Sequence, residues 1–142
     1  MTAFRDIPVQ TLLPQQPPFR FVDFLEHYDD VCTRTSFTVR ADTMMLEDGH
    51  LSAAALLEHM AQSCAARTGY YTVYVLHKSL SVGYIGQVRR YRIDRLPAMG
   101  ESLETEVRLK QSVFGISQFD VEVRCNGAPI ASADMKMAVP DE

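Results

Sequence analysis

The chain has 142 residues, a formal net charge of −4 and a 46% apolar share, which suits one domain, 1–142, with a core that needs no disulfide or metal. No apolar run approaches the ~20 residues that cross a bilayer, and a mildly acidic chain gives nucleic acid no electrostatic reason to bind. Cys32, Cys64 and Cys125 stand far apart without Cys-x-x-Cys or Cys/His spacing, which excludes a disulfide framework and a zinc centre. With no basic leader and apolar run at the N-terminus, these features predict reduced thiols, a cytoplasmic location, no metal and no cofactor.

From the N-terminus, the three prolines of "LPQQPPF", Leu13 to Phe19, predict an extended or turning segment, because proline removes donors and biases the residue before it away from helix. "FRFVDFLEHY" and "VCTRTSFTVR" follow as two antiparallel strands rich in aromatic and β-branched residues, with Asp29 and Asp30 as the hairpin turn. After the irregular "ADTMMLEDG", a helix is predicted from Ser52, its N-cap, to about Thr68, with Gly69 as a left-handed C-cap. "LSVGYIGQVRRYRI", "ESLETEVRLKQSV", "FGISQFDVEVRC" and "APIASADMKMAV" then supply four more strands, separated by "LPAMG", a Val-Phe-Gly kink and "NGAP". No repeat or linker divides the chain, so six strands and one helix share a core in an α+β layout.

The helix carries the chemical signal. At about 100° per residue, Leu56, Leu57, Met60 and Cys64 form a large apolar face suited to bed into a sheet. Opposite them lie Leu51, Ala54, Ala55, Glu58, Ala61, Gln62 and Ala65, a face of small residues with one carboxylate and one amide. Glu58 and Gln62 are one turn apart and able to hydrogen-bond. An exposed face would carry more charges, so this one is expected to be covered by a second backbone or a slender ligand. A covered carboxylate is costly to ionise, which makes Glu58 a candidate general acid. His50, beside Gly49 and just before the helix, is the candidate base, and the free N–H groups near Ser52 and Ala53 are candidate donors to a developing oxyanion. Ala54 and Ala55 complete the predicted substrate surface. His59 reads as a half-exposed helix histidine.

"RRYRIDR" places Arg89, Arg90, Arg92 and Arg95 in one short span. Strand alternation sends them to both faces, so only some are expected to be exposed together. They form either a solvated face or a docking patch for an acidic carrier protein.

Several of these segments occur together, in order, in a known family. "LLPQQPPFRFVDFLEHY" resembles the "LLPHRYPFLLVDRV" opening of the 3-hydroxyacyl-acyl-carrier-protein dehydratases, and "ALLEHMAQSCA" resembles their central helix. "VGYIGQVRRYRIDRLPAMGESLETEV" is similar to their Gly-Ile-x-x-x-Arg-Phe strand and Pro-x-x-x-Gly-Asp turn. The resemblance implies a hotdog fold, in which a long antiparallel sheet wraps one helix, and a homodimer of such units. It also implies a dehydratase of fatty acid or polyene-type lipid biosynthesis, acting on thioesters of acyl carrier protein or coenzyme A, with the helix carboxylate at Glu58 as acid. The family's base lies in a Gly-His-Phe-Pro-Gly segment. Here "GHLSA" keeps Gly-His, loses Phe-Pro-Gly and stands several residues closer to Glu58; the family spacing falls near Met44 and Met45. His50 therefore either reaches the site through a shortened loop, within a chain or across a dimer, or the usual base is missing. A hotdog thioesterase using the carboxylate alone, and a noncatalytic acyl-binding partner, stay open as alternatives.

Overall fold

The alternating and aromatic-rich segments do form strands. A computed structural model describes residues 3–139. After two short 3-10 turns, Phe4–Asp6 and Val9–Thr11, the chain forms β1 (Phe24–Tyr28), β2 (Cys32–Thr38), the two-residue strands β3 (Leu46–Glu47) and β4 (His50–Leu51), and helix α1 (Ala53–Tyr70). A π-helical turn (Tyr71–Val75) follows, then β5 (Tyr84–Ile93), β6 (Ser102–Val113), β7 (Ile116–Cys125) and β8 (Ala128–Ala138). Six strands make one antiparallel sheet in the order β1-β2-β6-β7-β8-β5, and β3 pairs only with β4. Both β1 and β5 therefore present an edge with no strand beside it among the described residues.

The β1–β2 turn is set by Asp29. One of its carboxylate oxygens accepts from the backbone N–H groups of Val31 (2.9 Å) and Cys32 (2.7 Å), and the other meets His27 Nε2 at 2.7 Å. The His27 hydrogen bond and these two donors hold its carboxyl well below the usual range.

Helix α1 lies on the inner face of the sheet. Leu56, Met60 and Cys64 are fully buried against Phe37, Leu103, Val107, Phe119 and Met135. Burial pushes the Cys64 thiol up, so it stays protonated and inert. Leu12, Leu13, Val22 and Leu25 pack with Ala66 in a second cluster, which brings the N-terminal segment across the helix.

That crossing corrects the predicted helix end. Gly69 does not cap the helix with a left-handed residue: α1 continues through it to Tyr70, and Tyr71 keeps right-handed angles, φ −59° and ψ −47°. Glycine is required there by contact. A Cβ on Gly69 would stand 2.2 Å from the carbonyl oxygen of Leu12, closer than atoms can pack. The first predicted strand is likewise shorter than its pattern, because residues 19–23 run beside the helix before β1 begins.

Alanine favours a helix over glycine by about 1 kcal/mol, yet at Gly69 the backbone overlap should dominate. Gly69→Ala should destabilise the fold by roughly 1–3 kcal/mol, read as a lower urea midpoint at unchanged slope. A raised midpoint would mean that Leu12 moves aside freely.

Candidate functional site

Ser52 is the N-cap, as its position predicts. Its Oγ accepts from Ala55 N–H at 3.1 Å and the residue is buried, so its hydroxyl works for the helix. Tyr91, from β5, donates to Ala53 O at 2.7 Å and pins the helix start to the sheet. Burial pushes the Tyr91 hydroxyl up to about 12, so it remains a donor.

A second anchor lies nearly two turns into the helix. His59 is fully buried, with Nδ1 2.6 Å from Phe21 O and Nε2 2.6 Å from Thr105 Oγ1. A carbonyl only accepts, so Nδ1 carries the proton and Nε2 accepts from the threonine hydroxyl. Gln62 binds the same passing segment: its Oε1 accepts from Phe21 N–H (2.7 Å) and its Nε2 donates to Phe19 O (2.9 Å). The Gln62 amide also donates to Glu58 Oε2 at 2.8 Å. Glu58 is thus oriented by an amide that is itself fixed to backbone.

The half-exposed histidine expected at position 59 is corrected by this geometry. His59, Ser63 and Arg67 follow i, i+4, i+8 spacing and form a buried polar stripe. Ser63 Oγ lies 2.8 Å from Thr35 Oγ1, and Arg67 donates to Thr33 Oγ1 and to the carbonyls of Asp29 and Asp30. The spacing is visible in the sequence, but the partners, threonines on β2 and β6, appear only once the sheet is assembled.

Glu58 itself is exposed within one chain. It borders a groove of about 330 Å³ between α1 and the inner side of β5 and β8, where Ala54, Leu57, Ala61 and Ala65 face Ile85, Val88 and Met137. The small-residue face predicted from the wheel is therefore a groove wall, with two corrections. Leu51 and Ala55 are fully buried in the core, because about 100° of turn per residue carries Ala55 round toward His59. Leu57, expected on the sheet-facing side, lines the groove. Ala53 is exposed at the helix start and is not among the lining residues. Gln15, which also lines the groove, holds a buried carboxamide oxygen without a hydrogen-bond partner.

His50 is not brought to this groove. It lies on β4, exposed, with Nδ1 2.8 Å from Asp48 O. No histidine lines the groove. Tyr84, Met135 and the rest of the sheet wall were not found from the sequence, since nothing in a strand's alternation tells which inward residues border a void.

Comparison with known proteins gives the family and the fold. Residues 7–142 match the model of the ApeP-like family, described as ApeP dehydratase. The chain belongs to the ApeP-like dehydratase family. Its fold is similar to that of the dehydratase heterocomplex ApeI:P from Xenorhabdus doucetiae, with a TM-score of 0.87, 22% identity, and coverage of 97% of this chain and 94% of that one. A hypothetical thioesterase from Streptococcus pneumoniae solved with coenzyme A gives 0.65 at 13% identity, over 83% and 85% of the two chains. A Streptococcus mutans protein bound to acetyl-CoA gives 0.67 at 13%, over 87% and 90%. At these identities the structural likenesses speak for the fold, which is the hotdog fold. No curated protein matches the sequence. No helix of the described residues is long and apolar enough to cross a membrane.

In this ApeP-like chain the arginine cluster departs from simple alternation. A bulge between Arg89 and Arg92, with Arg90 at φ 53°, leaves Arg89, Arg90, Arg92 and Arg95 all exposed. Arg90 Nε is 3.4 Å from Asp134, and Arg95 makes a two-pronged pair with Glu101 at 2.9 and 3.1 Å. Arg90 and Arg92 share a shallow outer pocket with Glu106, Asp120, Glu122 and Asp134. This mixed field offers an acidic carrier much less net attraction than four clustered arginines suggest.

The buried His59 makes a pH prediction. Burial pulls its imidazole down from 6.5 to about 4. Between those values the unfolded chain takes up a proton that the folded protein refuses, so this contribution to stability is complete above about 6.5 and falls as pH drops toward 4. His59→Gln should flatten that part of the acid limb in urea melts. His59→Leu, which strands Phe21 O and the Thr105 hydroxyl, should cost about 2 kcal/mol or more at neutral pH.

Proposed function

We propose that this protein removes water from a 3-hydroxyacyl thioester in the α1 groove, with Glu58 delivering the proton to the departing hydroxyl. The observation that carries this reading is the Glu58–Gln62 arrangement: a carboxylate at a groove walled by alanines, aimed by an amide that is held at both ends by the Phe19–Phe21 backbone. Family membership supports the reaction class. The groove's shape suits an acyl chain, and the unpartnered Gln15 oxygen offers an acceptor to a polar group of the thioester or its pantetheine arm. Relatives solved with coenzyme A and acetyl-CoA support a thioester on coenzyme A or on an acyl carrier protein.

Dehydration also needs a base for the proton on C2, and no histidine lies in this chain's own groove. The base therefore comes from the chain that covers the groove. Strand β5 supports this arrangement, since its residues wall the groove while its outer edge is open for pairing. Two partners fit: a second copy, whose own His50 would reach across, or a non-identical hotdog chain. The heterocomplex character of the Xenorhabdus protein favours the second. The lack of a histidine in the groove also supports a further reading, a noncatalytic subunit that shapes the site of a catalytic partner.

Purified protein, alone and with a co-expressed hotdog partner, should be sedimented and assayed for both enoyl product and free thiol. Paired chains and enoyl product are expected. Glu58→Gln should lower turnover roughly a hundredfold or more while the assembly persists. His50→Ala should match that loss only where the self-paired protein is the active form. Full activity in Glu58→Gln would sink the site assignment, free thiol in place of enoyl product would show thioesterase chemistry, and unaltered turnover of a mixed complex would leave this chain as the noncatalytic subunit.

A further inference from the structure

A second cavity, of about 480 Å³, lies at the C-terminal end of α1. Thr68, Thr72 and Leu76 bound it on one side, and Leu109, Phe119 and Val139 on the other. Its lining is more apolar than polar and also includes Asp30, Ser112 and Ser117. Arg67 also borders it, but that guanidinium is engaged by Thr33 and two backbone carbonyls, which leaves it little capacity for a ligand.

The Glu58 groove runs toward this cavity. At about 100° per residue, Ala61, Ala65 and Thr68 form one stripe down the helix, and Thr72 follows in the π-helical turn; the first two line the groove and the last two line the cavity. Met137 reaches from the groove toward the cavity. It lines the groove from β8, and its Sδ stands 3.6 Å from Thr68 Oγ1. That contact is soft. The Thr68 hydroxyl already donates to Cys64 O at 3.2 Å, methionine is unbranched with three rotatable side-chain bonds, and Gly83 leaves the thioether its space, since a Cβ there would lie 2.9 Å from Sδ.

We propose that Met137 is a chain-length gate: short acyl tails end in the groove, and long tails displace the thioether and enter the second cavity. This rests on the reading of the groove as an acyl-thioester site. From Glu58 to Ala65 the helix rises about 10 Å, room for roughly eight carbon–carbon bonds of an extended zigzag, each advancing the chain by about 1.3 Å. Longer tails must pass the gate. The substrate class is thereby extended to long-chain acyl thioesters, with Met137 and the Ser117 side of the cavity deciding how well they bind.

The test uses hexanoyl and tetradecanoyl pantetheine amides, which can neither dehydrate nor turn over readily, titrated calorimetrically into the assembled protein. Met137→Ala should raise the ratio of tetradecanoyl to hexanoyl affinity about tenfold. Ser117→Phe, a half-buried position that reaches the cavity from β7, should lower that ratio by a similar factor without touching the gate. Thermal melts establish that both variants fold, and because the two act from different elements, loss of one still leaves the other to decide. Hexanoyl binding with a ratio unmoved in the folded variants overturns the gate and leaves the Glu58 site standing. Failure of the hexanoyl amide to bind wild-type protein overturns the groove reading, and the gate with it.

Discussion

The arrangement of the site depends on three hydrogen bonds from one turn of α1 to a single stretch of passing backbone. His59 and Gln62 satisfy Phe19 O, Phe21 N–H and Phe21 O, groups that a strand neighbour would otherwise pair. Buried peptide groups left unpaired each cost on the order of 1–3 kcal/mol, so the segment and the helix are held in one relative register. The rotation of the helix follows from it. With His59 turned inward to Thr105, Glu58 must face a flank about 100° round the helix, and the alanines above and below it must form the wall of a groove. Gln62 links the two duties, because the amide that closes the backbone pairing also aims the carboxylate.

The sheet was legible in the sequence because antiparallel strands with one solvated face alternate, and the turn residues between them are specific. The helix was legible by its period and by Ser52. What could not be read was contact between distant parts. Gly69 looked like a helix end because glycine commonly ends helices, whereas here it makes room for Leu12. His59 looked like a flank residue because a wheel cannot show that threonines will stand opposite it. The arginine alternation failed at a bulge, which inserts one residue and sends three successive arginines to the same side. The ordered family motifs carried the fold class, while the histidine spacing, the one motif that departs from the family, corresponds to the place where the structure leaves the groove without a histidine.

The stripe behind the site explains why so polar a helix can be buried. Every buried polar atom of His59, Ser63 and Arg67 that the sheet encloses has a partner, and Arg67 also lies over the Tyr28 ring at 4.7 Å. Such a stripe adds little net stability compared with apolar packing, but it fixes which rotation and which axial position of the helix are allowed. The apolar contacts of Leu56, Met60 and Cys64 alone would tolerate a small slide along the sheet.

Strand β5 has two roles at once, groove wall on its inner side and open edge along its length. Its inward residues Ile85 and Val88 line the groove, and the bulge at Arg90 changes the twist of the same edge that any neighbouring chain must match. Pairing along this edge and the shape of the groove are therefore not separable. A substitution selected for a new neighbour will reshape the groove, and one selected for a different ligand will alter the fit of the neighbour. Over evolutionary time any chain that pairs along this edge is obliged to change together with the groove, and exchanging it for a foreign one should give a differently shaped groove from the same set of residues.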